Sequence, residues 1–83
     1  MRGDTMRLRV ERLSEGPGPG EFVVGVTTST GATEQVVVYG MEDDTIEVGH
    51  PLASDETKRL VELPRESLSG KWRVWVPRDS VIE

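Results

Sequence analysis

Apolar and polar side chains alternate along most of this chain, and the period is two. From Thr5 to Leu13 the residues Met6, Leu8 and Val10 fall on one side and Arg7, Arg9 and Glu11 on the other, which predicts a strand with one wet face. The run Ser14-Glu15-Gly16-Pro17-Gly18-Pro19-Gly20 then halts regular structure, because proline cannot donate to a ladder and glycine has no side chain to pack. Too few residues precede it to form a domain, so it reads as a hairpin loop rather than a linker. Glu21 to Thr28 predicts the second strand, with Phe22, Val24 and Val26 on one side and Val23 and Gly25 on the other. A turn at Thr28 to Ala32 returns the chain into a third strand from Thr33 to Gly40, which completes a hairpin. Val36 to Tyr39 is apolar on both faces, so this strand is either central or covered on its outer side. Met41 to Asp44 predicts the next turn and Thr45 to Val48 a fourth strand, interrupted by Gly49, His50 and Pro51.

The stretch from Leu52 to Leu63 admits two readings. Ser54 or Asp55 could cap a short helix carrying Leu60, Val61 and Leu63 and ended by Pro64; the preferred reading is a loop at Ala53 to Glu56 followed by a strand. The preference rests on an internal echo, since Val61-Glu62-Leu63-Pro64-Arg65-Glu66-Ser67-Leu68 recurs thirteen residues later as Val74-Trp75-Val76-Pro77-Arg78-Asp79-Ser80-Val81. Proline stops a strand and Arg-Asp/Glu-Ser suits one tight or 3₁₀ turn, so each copy predicts strand, corner and apolar anchor. The period is too short for a solenoid and suggests two similarly shaped corners of one barrel.

Composition points the same way. The chain has 12 Val and 7 Thr against two Ala, with nine Gly and five Pro, the usage of pleated strands and tight turns. The expected architecture is all-β: a small antiparallel barrel or roll of five to seven short strands, with a 3₁₀ corner near the C-terminus. A strand ending in proline, a one-turn corner and a short closing strand over residues 71–83 resembles the C-terminal part of SH3-like small barrels, and that resemblance implies an SH3-like closure. Lys71-Trp72-Arg73-Val74-Trp75-Val76-Pro77-Arg78-Asp79-Ser80 is also similar to an apolar-Trp-apolar-Pro-basic tail pattern in small phage and plasmid proteins, which implies no activity. The Ala-Leu-Tyr-Asp-Tyr-type start of signalling SH3 domains is absent, so their recognition of proline motifs does not carry over.

Eighty-three residues predict a single domain, 1–83. No apolar run approaches a membrane span and no signal-peptide pattern opens the sequence, so the expected setting is cytoplasmic, with no membrane contact. The absence of cysteine excludes disulfides, thiolate nucleophiles and cysteine metal sites. His50 is the sole histidine, and no further imidazole or thiolate accompanies it as a ligand. No Gly-x-Ser-x-Gly elbow or Ser-x-x-Lys is present, and Glu42-Asp43-Asp44 lacks the alternate spacing of an EF-hand. Gly16 to Gly20 lacks the Lys-Ser/Thr ending of a phosphate loop, and Arg2-Gly3-Asp4 matches an integrin-binding tripeptide by chance. No enzyme, catalytic residue, metal, cofactor or small-molecule substrate is therefore expected.

Charge separates a basic strand from an acidic remainder. The formal charge is −5, yet Arg2, Arg7, Arg9 and Arg12 outnumber Asp4 and Glu11 in the first twelve residues. One reading makes Arg7 and Arg9 a nucleic-acid contact, with Trp75 or Tyr39 stacking on a base; the other makes them an edge protected from aggregation. Net acidity disfavours the first. The more informative feature is apolar material on both sides of several strands. Trp72, Val74 and Val76 alternate with Arg73 and Trp75, so a regular strand sends only one tryptophan to the core. With Val23, Val37 and Tyr39 on the outward parity, a patch centred on Trp75, Arg73 and Tyr39 is expected to meet another chain. The expectation is thus a non-catalytic protein-binding or assembly module, either a homo-oligomer or an accessory subunit of a bacterial or phage complex. The alternative is a nucleic-acid-binding small barrel.

Overall fold

The first alternating run forms strand, but it serves two sheets. In the computed structural model, which describes residues 6–82, the run divides at Val10 into β1 (Met6–Arg9) and β2 (Glu11–Glu15). The Val10 N–H leaves the ladder and donates to the Asp44 carbonyl at 2.9 Å. The pairing of the next strand then slips between Arg12 and Ser14, and such an irregularity bends a strand and increases its twist. The remaining elements are β3 (Glu21–Thr27), β4 (Thr33–Tyr39), β5 (Thr45–Val48), β6 (Ala53–Ser54), β7 (Lys58–Glu62), β8 (Arg73–Pro77), a 3₁₀ turn (Arg78–Ser80) and β9 (Val81–Ile82). Arg2 to Thr5, including the start of the predicted first strand and the Arg-Gly-Asp tripeptide, lie outside the described residues.

All pairings between these strands are antiparallel, and they form three three-stranded sheets in the orders β5-β1-β9, β2-β3-β4 and β6-β7-β8. The architecture is all-β as expected of a barrel or roll, but with nine strands among the described residues rather than five to seven and with no closed barrel. The ladders among the described residues do not close, because the chain changes sheet at Val10 and again after β5, where Gly49 and Pro51 interrupt the extended run. The stretch after Leu52 is strand and not helix. The expected loop at Ala53 to Glu56 is shorter than predicted, since Ala53 and Ser54 pair with Leu60 and Arg59. The loop is closed by the Asp55 carboxylate, which accepts the N–H groups of Thr57 at 2.9 Å and Lys58 at 3.0 Å. The Thr57 bond is the largest influence holding that carboxyl below its ordinary pKa.

Inward positions of all three sheets meet in one core. Leu8, Ile46 and Val48 come from the first sheet, Val24, Val26, Val36 and Val38 from the second, and Val61, Val74 and Val76 from the third. Each such side chain contributes ~1.5–3 kcal/mol on burial, and their β-branched majority suits the pleat. Neither tryptophan joins them, which corrects the expectation that one would. β8 begins at Arg73, so Trp72 precedes the strand and is 52% exposed, while Trp75 faces away from Val74 and Val76 and is half-buried. At the β4–β5 connection, Asp43 (φ 55°) and Asp44 (φ 58°) both adopt the left-handed conformation, and the backbones of Glu42 and Thr45 exchange hydrogen bonds at 3.1 and 3.0 Å. This is the tight two-residue turn that matches strand twist. No helix among the described residues is long and apolar enough to cross a membrane.

Candidate functional site

The outward parity of the second sheet gathers three of the residues singled out from the sequence. Val23 pairs with Val37 and Glu21 with Tyr39, and paired residues project from the same face. Gly25 extends this face, because a side chain there would come within 3.4 Å of Leu13 and 3.1 Å of the Thr33 methyl; glycine leaves the room that Leu13 uses. Tyr39 is 69% exposed and Leu13 44%. Across β4, Leu68 donates its N–H to the Gln35 carbonyl at 2.8 Å and adds a further exposed apolar side chain. Arg65 lies 5.5 Å from the Tyr39 ring centre and 3.5 Å from the well-covered Glu21 carboxylate, which fixes the guanidinium beside the ring. A depression of about 550 Å³ adjoins this face, lined by Val37, Tyr39, Met41, Pro64, Arg65 and Arg7, among others.

Trp75 and Arg73 belong elsewhere. Leu60 pairs with both Ala53 and Trp75, making an outward row on the third sheet, and Glu62 faces Arg73 beside it. The Lys58 ammonium lies 5.0 Å from the Trp75 ring centre and 4.0 Å from Asp55. The Trp75 carbonyl accepts the N–H of Ser29 at 2.8 Å, beyond the far end of β3, whereas Tyr39 pairs with Glu21 at its beginning. The seven residues of β3 lie between these two points, roughly 20 Å along the strand. The expected single centre of Trp75, Arg73, Tyr39, Val37 and Val23 is therefore two patches.

The predicted basic strand is likewise divided. Arg7 donates from Nε to Thr45 Oγ1 at 2.9 Å and from Nη2 to the Thr45 carbonyl at 3.2 Å, and lies 4.0 Å from Glu42. Thr45 passes the bond on, its hydroxyl donating to the Glu42 carbonyl at 2.6 Å, so Arg7 acts as a clasp on the β4–β5 turn. Arg12 lies over Phe22, 4.5 Å from the ring centre. Arg9 is exposed, and its side chain makes no ion pair or hydrogen bond among the described residues. His50 is exposed after β5, and no group of three His, Cys, Asp or Glu side chains among the described residues is arranged to hold a metal.

One arrangement was missed by sequence reasoning. Glu34 is a carboxylate on the inward parity of β4, in line with Val36 and Val38, and is buried. Its Oε1 accepts the hydroxyls of Ser69 at 2.5 Å and Ser67 at 2.9 Å, and Ser67 Oγ in turn accepts the Lys71 N–H at 3.0 Å. The Ser69 bond is the largest influence on this carboxyl; with help from Ser67 and Lys71 it outweighs burial and holds the pKa below the ordinary glutamate value. The cluster pins the 64–70 loop across the end of the core. Its one signal in the sequence was a charged residue where the alternation demands an apolar one.

Comparisons of the chain with protein-family models, with characterised proteins and with solved structures found no match.

Proposed function

We propose that this protein is a non-catalytic contact module of a cytoplasmic assembly, built as an SH3-like roll, and that the outer face of β2-β3-β4 is the surface that meets a second protein chain. The observation that carries this reading is Tyr39, 69% exposed at one end of an apolar row formed with Val37, Val23 and Leu13. Aromatic and aliphatic groups gathered on one face of so small a protein favour contact with another chain, and a tyrosine held by an adjacent arginine loses little freedom when it is buried. Face-on packing fits better than strand addition, since of the two edges β2 is exposed throughout and carries Glu11, Arg12 and Glu15, while β4 already accepts the Leu68 N–H at Gln35. Those charges set partner choice at the rim. The SH3-like reading draws on the bent β1–β2 segment shared by two sheets and on the 3₁₀ turn between β8 and β9. A nucleic-acid barrel has less support, because Arg7 is occupied by Thr45, and the Tyr39 and Trp75 rings already carry Arg65 and Lys58.

Tyr39→Ser tests the reading. It is expected to lower the particle mass by light scattering, or to release a co-purifying chain, while stability changes by less than about 0.5 kcal/mol. Trp75→Ser, on the other sheet, is expected to leave association intact. Unchanged mass and unchanged retention of any partner in Tyr39→Ser would refute the proposal.

A further inference from the structure

The acidic chain gathers three arginines from three elements around one groove. Arg9 ends β1, Arg59 lies in β7 and Arg78 opens the 3₁₀ turn; all three line a groove of about 450 Å³ in which Asp79 is the one acidic lining residue among the described residues. Continuing the β1–β9 register, in which Leu8 pairs with Val81, sets Arg9 opposite Ser80 and so beside the turn that carries Arg78. Arg59 shares the inward parity of Val61 and pairs with Val76, so a guanidinium issues from the core side of the sheet at its end. It is fixed there, with Nη1 donating to the carbonyls of Asp55 at 2.6 Å and Lys58 at 3.0 Å. Arg78 Nη1 donates to the Glu56 carbonyl at 3.2 Å, and its backbone N–H to the Thr57 carbonyl at 2.9 Å. The loop at residues 55–58 thus holds two of the three guanidiniums through single nitrogens, leaving the rest of each fork to the groove. Arg78 Nε is 3.8 Å from Asp79, but both side chains are largely exposed and the pair is weak.

Like charges gathered in this way on a chain of formal charge −5 repel one another until an anion joins them. Three planar forks suit the several oxygens of a phosphoryl group better than a lone carboxylate. The remaining lining is apolar, with Met6, Pro51, Val81 and Ile82 placed to receive a carbon framework. No aromatic ring lines the groove for a base to stack on, and the acidic remainder of the chain repels an extended polyanion. We propose that this groove binds a small organic phosphate monoester, its phosphoryl group on Arg9, Arg59 and Arg78 and its organic part against Met6, Pro51 and Ile82. The site is separate from the β2-β3-β4 face and does not depend on it.

Titration of the full chain with phenyl phosphate, inorganic phosphate and a single-stranded oligonucleotide at low salt, followed by calorimetry and by arginine Nε–H resonances, tests the proposal. Phenyl phosphate is expected to saturate one site, more tightly than inorganic phosphate, and to move the Arg9, Arg59 and Arg78 signals. Arg9→Gln, at an exposed side chain without a partner among the described residues, is expected to weaken it about five- to ten-fold. Arg78→Gln gives an independent second loss, and Arg65→Gln, on the other face, none. Absence of saturable binding, equal binding of inorganic phosphate, tighter binding of the oligonucleotide, or unaltered affinity in both Arg9→Gln and Arg78→Gln would each overturn it.

Discussion

Val61 to Leu68 and Val74 to Val81 are near-copies in sequence, yet they turn two different corners. Both begin alike, with a strand leading to a buried apolar residue ahead of proline, Val76 within β8 and Leu63 directly after β7. After proline they part. In the second copy the chain makes a 3₁₀ turn and Val81 enters β9, packing against the core. In the first copy no helical turn forms; Ser67 is drawn inside to 4% exposure and Leu68 is left 65% exposed. The difference lies in what each serine finds. Ser67 reaches the Glu34 carboxylate, while no hydrogen bond of the Ser80 hydroxyl is made among the described residues. A local pattern therefore proposes a corner, and a distant acceptor decides which side chain turns inward.

The largest effect tests what the corners share. Leu63→Ala removes a buried anchor and is expected to cost about 3 kcal/mol in chemical denaturation; a cost under about 1 kcal/mol would mean that the two anchors are not equivalent. Next comes what separates them. Ser67→Ala strips one donor from a buried carboxylate and is expected to cost about 1–2 kcal/mol, measured by urea unfolding at neutral pH. Acid should close that gap. Because Glu34 is held below its ordinary pKa, the unfolded chain takes up the proton first; the stabilisation is complete above the unfolded value and is lost as pH falls through the folded one. The difference between wild type and Ser67→Ala should accordingly be constant from pH 7 to about 5 and shrink below about 4.3. A gap that does not respond to acid would assign Ser67 to packing alone. The smallest effect is Ser80→Ala, expected to stay within about 0.5 kcal/mol by the same measurement.

Much of this architecture was legible as period-two alternation. The predicted strands at 21–28, 33–40 and 45–48 match β3, β4 and β5 to within one residue at each end, because glycine, aspartate and proline punctuate them. The split at Val10 was not legible, since no glycine or proline stands there and the cause is a bond to the Asp44 carbonyl far along the chain. Parity placed Val23, Val37 and Tyr39 correctly on one face, but parity cannot say which sheet a strand joins, so Trp75 and Arg73 were grouped with the wrong neighbours. The same limit hid the arginine groove, where Arg9, Arg59 and Arg78 meet only through the pairing of β1 with β9 and of β7 with β8.

The pairing of β1 with β9 has a consequence for how the molecule is made. On the ribosome, the β3–β4 hairpin can zip as soon as it emerges, since its partners are neighbours in sequence, but β1 must wait with one flank bare until Val81 and Ile82 leave the exit tunnel. That side of β1 thus closes only after every other strand has been made, and a chain lacking Val81 and Ile82 would keep an open edge on β1.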